Sequence, residues 1–213
     1  MLAERAPHLL SVVSENLKFL NGRSISIDID AITQATYVLA LRNVSRSFGK
    51  VILKEHLKTY WELAKIAEKN GVQAAQSLNF AKDAWNNEEV YMNSPEMPGI
   101  RALLEVLHEI EIPHTFISSR PLEFEDVTKS WYKDKFPWIS GDNIILGRKE
   151  GVSGGLFKAQ MIRKYNVGLH IEDTMDEANE IAKIAQIPIL VVPQPWNTQE
   201  VITDPMVKLL GKY

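Results

Sequence analysis

Two aspartates, Asp28 and Asp30, end an Ile-rich stretch and have one apolar residue between them. Aspartates after a strand are often turn or cap residues, but a turn does not require two of them. Their side chains would point to the same side, and like charges so close repel unless a cation or a proton lies with them. The pair therefore indicates a site for a hard cation such as Mg²⁺, or for proton transfer.

Further polar groups follow apolar stretches later in the chain. Ser118, Ser119 and Arg120 end one stretch, and Glu172 and Asp173 end another. Taken singly, such serines are typical turn or helix caps. Together with the first two aspartates, they form a set of acids, hydroxyls and a cation that can hold Mg²⁺ and a phosphate group.

Other candidate residues carry weaker signals. Lys158 lies near the start of a predicted helix, where a lysine is usually solvated, so only the joint pattern makes it a candidate. The glycine-containing run 151–158 lacks the spacing of a phosphate-binding P-loop. Thr174 and Glu177 form a Thr-x-x-Glu capping box, which predicts a structural role for Glu177. His170 lies inside a predicted strand, which favours a packing role.

The elements that must position these groups alternate between strand and helix. Alternating apolar patterns predict strands over 24–30, 113–119, 143–146, 168–172 and 187–192, with the last of these as the final strand. Helical periodicity predicts helices over 100–107, 124–136, 156–165 and 174–185. This order predicts an α/β, Rossmann-like parallel sheet with helices on both faces. Ligands of such sheets bind beyond the carboxyl ends of the strands, where the candidate residues fall.

A long helical segment interrupts this alternation after the first strand. One apolar stripe in it consists of Leu57, Tyr60, Trp61 and Ala64. Proline and glycine near residue 98 end the segment. We therefore predict a helical cap subdomain over 33–93 and a core made of 1–32 and 94–213, with an N-terminal helix over 1–22.

Composition excludes several classes of protein. The 213 residues include no cysteine, which excludes thiolate metal sites and a cysteine nucleophile. The net charge of −3 disfavours binding to a nucleic acid polymer. No apolar run approaches the length of a membrane-spanning helix, and the N-terminus does not resemble a signal peptide. We therefore predict a cytoplasmic protein that binds neither a nucleic acid polymer nor a membrane, and whose oligomeric state the sequence leaves open.

The four groups together resemble the motifs of the haloacid dehalogenase superfamily of phosphohydrolases. In chain order, the matching stretches are Asp28-Ile29-Asp30, Phe116-Ile117-Ser118, Phe157-Lys158 and Ile171-Glu172-Asp173. Response-regulator receivers carry similar residues in a different order and are shorter. The chain departs from the superfamily pattern at three positions: Ala31 stands where glycine is usual, Ile32 replaces Thr or Val, and Glu172 is the first acid of the final pair.

The resemblance implies a role for each matching residue. Asp28 would be the nucleophile and Asp30 the general acid and base. The phosphate- and substrate-binding residues would be Ser118, Ser119, Arg120 and Lys158. The Mg²⁺ site, which would also accept Mn²⁺, would consist of Asp28, the main-chain carbonyl of Asp30 and Asp173, with Glu172 as an alternative ligand.

Within the superfamily the chain is most similar to the bacterial deoxyribonucleotidase-like branch. Three stretches carry this similarity: Pro98-Gly99-Ile100, Ser118-Ser119-Arg120-Pro121 and Gln194-Pro195-Trp196-Asn197. The resemblance implies a Mg²⁺-dependent 5′-nucleotidase acting through an aspartyl phosphate. The alternatives are a phosphatase for another small metabolite, of the sugar phosphate or phosphoglycolate type, and a non-catalytic nucleotide- or phosphate-binding protein. The aromatic residues of the helical segment either stack a base or form its core: Phe48, Tyr60, Trp61, Phe80, Trp85 and Tyr91.

Overall fold

The computed structural model describes residues 11, 15–17, 20–59 and 61–210, so most of the predicted N-terminal helix over 1–22 lies outside the described residues. Within the described part, six strands form one parallel sheet in the order β3-β2-β1-β4-β5-β6. The strands are β1 (Ser24–Ile27), β2 (His114–Ile117), β3 (Ile144–Ile145), β4 (Val167–Glu172), β5 (Ile189–Val191) and β6 (Val207–Leu209).

The described helices alternate with these strands after a helical insertion. They are α1 (Thr36–Phe48), α2 (Glu62–Lys69), α3 (Ala74–Trp85), α4 (Glu88–Asn93), α5 (Ile100–Glu109), α6 (Glu125–Lys135), α7 (Gly154–Lys164) and α8 (Met175–Ala185). Among the described residues, no helix combines the length and the apolar character that a bilayer crossing requires. The architecture confirms the predicted α/β fold with a parallel sheet.

Two apolar clusters cover the two faces of the sheet. On one face, Leu103 and Leu107 of α5 and Trp131 of α6 pack with Phe116 of β2. On the other face, α7 and α8 pack against β5, for example through Ile181. Because both faces are buried, the strands are short apolar runs, and their carboxyl ends provide an edge where polar side chains meet.

The helical insertion between β1 and α5 has an apolar cluster of its own. Leu41 and Val44 of α1 pack with Leu63 of α2 and Ala81 of α3 in this cluster. Its last helix also contacts the sheet domain, where Tyr91 of α4 packs in a separate small cluster with α6. The insertion therefore has a hydrophobic core distinct from the two sheet clusters, while its division into a cap that moves as a unit stays a prediction.

Two sequence-based predictions of elements are wrong. The stretch that ends near Val192 is not the last strand, because β6 pairs with β5 at the sheet edge. β6 is only three residues long and only its first residue, Val207, is buried, so it has almost no apolar pattern. The stripe from Leu57 to Ala64 does not belong to one helix, because α2 begins at Glu62. Leu57 packs in the insertion core from the end of a short 3₁₀ turn. Its apolar side chain therefore falls at a helical spacing from Ala64 although the two residues are not in one helix.

Candidate active site

The turn after β1 places the two aspartates at the carboxyl edge of the sheet. The Asp28 N–H donates to the Ile171 carbonyl of β4 at 2.9 Å, which continues the ladder by one residue. The chain then turns at Ala31, whose φ is +57°, in the left-handed region that favours glycine. Ala31 is 5% exposed and its methyl group packs in the insertion core, so burial offsets the strain of an alanine at this position.

Asp28 lies in a buried cluster of acids around one lysine. Lys158 Nζ is 2.9 Å from an Asp28 oxygen, 2.7 Å from a Glu172 oxygen and 2.8 Å from a Glu177 oxygen. Burial raises the pKa of Asp28 well above its usual value; Lys158 opposes this shift, while the neighbouring acids add to it. The same three acids raise the pKa of Lys158 despite its burial, so this lysine is fully charged. Lys158, which comes from α7, is therefore brought to the candidate nucleophile as the sequence predicts.

Glu172 is fully buried and its acceptor positions are occupied by protein groups. One carboxylate oxygen accepts hydrogen bonds from the backbone N–H groups of Asp173 and Thr174, at 3.0 and 3.2 Å. The other lies 2.7 Å from Lys158 Nζ and 3.1 Å from His170 Nε2. Burial would raise the pKa of Glu172, but the Lys158 ammonium and the His170 hydrogen bond lower it to about 2. Glu172 is thus an ionised partner of Lys158.

His170 is packed, as its strand position predicts, and it also belongs to a hydrogen-bonded chain. Its Nδ1 lies 2.7 Å from the Ser26 hydroxyl, and its Nε2 contacts Glu172. Both His170 and Ser26 are fully buried between β4 and β1. Burial lowers the pKa of His170, so the ring is neutral and holds Glu172 by a hydrogen bond rather than by a charge.

Asp173 differs from Glu172 because its side chain has capacity for a further ligand. One carboxylate oxygen accepts a hydrogen bond from Trp196 Nε1 at 2.9 Å. Asn197 donates to the Asp173 backbone carbonyl at 2.6 Å, which fixes the loop after β4. Burial and repulsion from Glu172 and Asp28 raise the pKa of Asp173 well above its usual value. An ionised Asp173 therefore needs a cation close to it.

The cluster fits a divalent cation by charge and by donor type. Asp28, Glu172 and Asp173 each offer a carboxylate oxygen, and these oxygens all lie within 4.8 Å of one another. Together with Glu177, these acids outnumber the single ammonium of Lys158. Hard oxygen donors with excess negative charge suit Mg²⁺ or Mn²⁺. Because Glu172 is saturated by protein donors, Asp28 and Asp173 are the side chains with room for the ion.

Asp30 makes a two-point ion pair with Arg120. Arg120 Nε and Nη2 donate to the two Asp30 carboxylate oxygens at 2.9 and 2.8 Å. Thr36 donates to the same carboxylate at 2.9 Å, and the Ser118 hydroxyl lies 3.4 Å away. Burial would raise the pKa of Asp30, but Arg120 outweighs it and the pKa is lowered. Asp30 is therefore ionised at neutral pH, in the form that accepts a proton.

Most of the donor capacity of Arg120 is used inside the protein. Besides Asp30, it donates to the Thr128 hydroxyl at 2.9 Å and to the Gln34 amide oxygen at 2.6 Å. Its guanidinium also lies 3.9 Å from the centre of the Tyr91 ring. These contacts orient Asp30, whereas direct binding of Arg120 to phosphate stays a prediction.

The carboxyl ends of the strands and the insertion enclose one cavity of about 200 Å³. Asp28, Asp30, Ser119, Lys158 and Asp173 line it on the sheet side. Ser118 is fully buried and does not line the cavity; its hydroxyl lies 3.4 Å from an Asp30 oxygen and accepts the Arg120 backbone N–H at 3.3 Å. The structure thus brings the predicted phosphate and metal residues to one site.

The aromatic residues of the insertion divide into two groups. Trp61, Trp85 and Tyr91 line the cavity. Phe48 and Phe80 instead pack against each other in the insertion core, with ring centres 5.2 Å apart. The remaining aromatic candidate, Tyr60, lies outside the described residues.

Sequence reasoning missed two residues of this site. Glu177 was predicted to be structural, but Thr174 makes no capping hydrogen bond through its side chain and Glu177 is turned towards Lys158. The capping-box pattern is local, whereas the charge of Lys158 reaches this position only through the packing of α7 against α8. Arg148 also lines the cavity, from the loop after β3. No motif in the sequence pointed to Arg148.

Two bacterial proteins are similar to this chain in sequence. No protein-family model matches the chain. A Bacillus subtilis protein named provisionally as a nucleotidase is 27% identical over 181 residues, which cover 81% of each chain. A Halalkalibacterium halodurans protein with the same provisional name is 22% identical over 175 residues and 82% of each chain.

Solved structures extend the similarity to the fold. A haloacid dehalogenase family hydrolase from Deinococcus radiodurans, solved with bound phosphate and sodium, superposes with a TM-score of 0.55. The match covers 81% of this chain and 83% of that one at 13% identity. The protein therefore has the haloacid dehalogenase fold, which confirms the fold that the sequence motifs implied.

Proposed function

We propose that this protein is a Mg²⁺-dependent phosphomonoesterase that hydrolyses nucleoside monophosphates through an aspartyl phosphate. The observation that carries the proposal is the position of Asp28. It lies at the cavity, 4% exposed, with Lys158 Nζ 2.9 Å from one of its oxygens and carboxylate oxygens of Glu172 and Asp173 within 4.8 Å. The haloacid dehalogenase fold and the names of the two relatives support the same class of reaction.

The first step is attack on phosphorus by a carboxylate oxygen of Asp28. The bond from phosphorus to the leaving oxygen breaks, and an acyl phosphate forms on Asp28. Lys158, 2.9 Å from an Asp28 oxygen, would stabilise the added negative charge, and the Ser118 hydroxyl would donate to a phosphoryl oxygen, as the resemblance to the superfamily implies. The ion held by Asp28 and Asp173 would neutralise phosphoryl charge when it is bound.

Asp30 carries the proton in both steps. The approach of a phosphate group adds negative charge beside Asp30 and raises its proton affinity, so that it takes up a proton from solvent and donates this proton to the leaving oxygen. It then takes a proton from the water that attacks the acyl phosphate, the bond from phosphorus to Asp28 breaks, and inorganic phosphate leaves. The Arg120 pair holds Asp30 in a fixed orientation throughout.

The choice of a nucleotide rests on the aromatic side chains of the insertion. Trp61 and Trp85 of the insertion line the same cavity as the acids, together with Leu57. Flat indole rings suit a nucleobase, since stacking buries large apolar area on both partners. The provisional nucleotidase names of both relatives favour the same substrate class.

The test is an assay of phosphate release with Mg²⁺ from nucleoside monophosphates, sugar phosphates and phosphoglycolate. We expect the highest kcat/KM with a nucleoside monophosphate and no turnover in excess EDTA. Asp28→Asn should be inactive, while Asp176→Asn, an exposed acid on α8, should keep wild-type rates. Wild-type turnover by Asp28→Asn would refute the covalent mechanism. Preference for a sugar phosphate would refute the substrate class alone.

A further inference from the structure

Two of the cations that line the cavity already have carboxylate partners. Lys158 lies within 2.9 Å of oxygens of three acids. Arg120 uses two donors on Asp30 and further donors on neutral groups of the protein. An incoming phosphate dianion beside an acidic cluster needs positive charge that is not already compensated.

Arg148 is a cation at the same cavity with a different set of partners. Its Nε donates to the Ser119 carbonyl at 3.1 Å, and its Nη1 donates to the Val152 carbonyl at 2.8 Å. Both acceptors are neutral, so they fix the guanidinium without compensating its charge. In the described part of the chain, Arg148 forms no ion pair, and three of its five N–H groups have no acceptor there.

The loop that carries Arg148 is tied to the predicted phosphate-binding segment. The Gly147 N–H donates to the Arg120 carbonyl at 3.0 Å, with Gly147 at a φ of +103° that suits only glycine. With the bond from Arg148 to Ser119, the loop after β3 is therefore held beside the loop after β2 at two points. Arg148 lines the cavity from this position, together with Asp28.

We propose that Arg148 is a substrate-binding residue that donates to the non-bridging oxygens of the phosphoryl group. Identifying the anion as a phosphoryl group rests on the proposed function. A planar guanidinium with spare N–H groups matches two phosphoryl oxygens at once. Because the backbone carbonyls hold it in place, little side-chain entropy is lost when the phosphate binds.

The experiment measures binding of inorganic phosphate with Mg²⁺ present, by calorimetry, together with KM and kcat for a nucleoside monophosphate. Arg148→Gln should weaken phosphate binding about tenfold or more and raise KM similarly, with a smaller change in kcat. Arg148→Lys keeps the charge but loses the planar guanidinium that can bind two oxygens at once. Its phosphate affinity should therefore lie between those of Arg148→Gln and the wild type. Lys149→Gln is the matched control, because it removes an equal charge from the exposed neighbouring residue. It should bind phosphate as the wild type does.

The outcomes separate this proposal from a structural role and from the proposed function. If Arg148 only tethers its loop, Arg148→Gln lowers the melting temperature but a folded sample binds phosphate as the wild type does, which overturns the proposal. The proposal for Arg148 is also overturned if the wild-type protein binds no phosphate. A wild type that binds phosphate through Arg148 but hydrolyses no phosphomonoester overturns the proposed function and supports the binding role of Arg148.

Discussion

The acidic cluster leads to the prediction that the metal-free protein becomes more stable when Asp173 loses its charge. Asp173 faces Glu172 and Asp28, with carboxylate oxygens of all three within 4.8 Å of one another. At that distance two full charges repel by about 3 kcal/mol at an effective dielectric constant of about 20, and Lys158 offsets part of this. We expect Asp173→Asn to stabilise the metal-free protein by about 1–3 kcal/mol, or roughly 2–12 °C. The amide still accepts the Trp196 hydrogen bond, so packing is preserved.

Mg²⁺ should reverse this order of stability. An ion present at 100 times its dissociation constant stabilises the folded state by about 2.7 kcal/mol, roughly 5–11 °C for a chain of this length. The wild type should show this gain, and Asp173→Asn should show little of it. Glu172→Gln should keep the response to Mg²⁺, since Glu172 is already saturated by protein donors. Without the ion, the Glu172→Gln variant should be less stable than the wild type by about 3 kcal/mol, because Lys158 loses a buried partner.

The assay is thermal unfolding followed by circular dichroism, in EDTA and in saturating MgCl₂. Asp176→Asn is the control, since it removes an exposed acid from the same helix without facing the cluster. The raised pKa of Asp173 means that the folded state binds the proton more tightly than the unfolded state. Metal-free wild type should therefore lose stability as the pH rises above about 4 through the raised pKa, and Asp173→Asn should lose less. The reasoning fails if Asp173→Asn destabilises the metal-free protein, or if Glu172→Gln is the variant that stops responding to Mg²⁺.

Two further predictions concern the proton-transfer step and the insertion. Asp30→Asn should turn over about 10²–10⁴-fold more slowly than the wild type while still binding beryllofluoride, whereas Asp28→Asn should not bind it. Fluorine NMR measures this binding. If both variants bind beryllofluoride equally, the attacking carboxylate is not Asp28. Because the chain has no cysteine, spin labels can be attached only at the introduced sites of an Asp83→Cys, Lys149→Cys double variant. The distance between the labels should shorten when Mg²⁺ and phosphate are added, and an unchanged distance distribution would contradict a cap that closes as a unit.

The predicted site residues that the structure brings to the sheet edge share one feature. Asp28, Ser118 and Asp173 directly follow strands of a parallel sheet and Asp30 comes three residues after one, so local pattern and chain order are enough to bring them to one edge. Lys158 needed one further step, the position of its helix before β4. The short edge strand β6 was missed because three residues with one buried side chain carry almost no periodic signal.

Alternation and chain order in this sequence determined the parallel sheet, the helical insertion and the edge at which the acids meet. Only the tertiary structure decided which charged side chains of the site pair with each other. The sequence favoured Asp173 as the metal ligand and kept Glu172 as an alternative. Packing of α7 beside β4 directs Lys158 to Glu172, and His170 reaches the same carboxylate from two residues earlier on β4. Packing of α7 against α8 makes Glu177, a predicted capping residue, a third partner of Lys158, across 19 positions of sequence. Side-chain pairing across such separations depends on how helices dock on the sheet, a long-range property that no local repeat of residue types encodes.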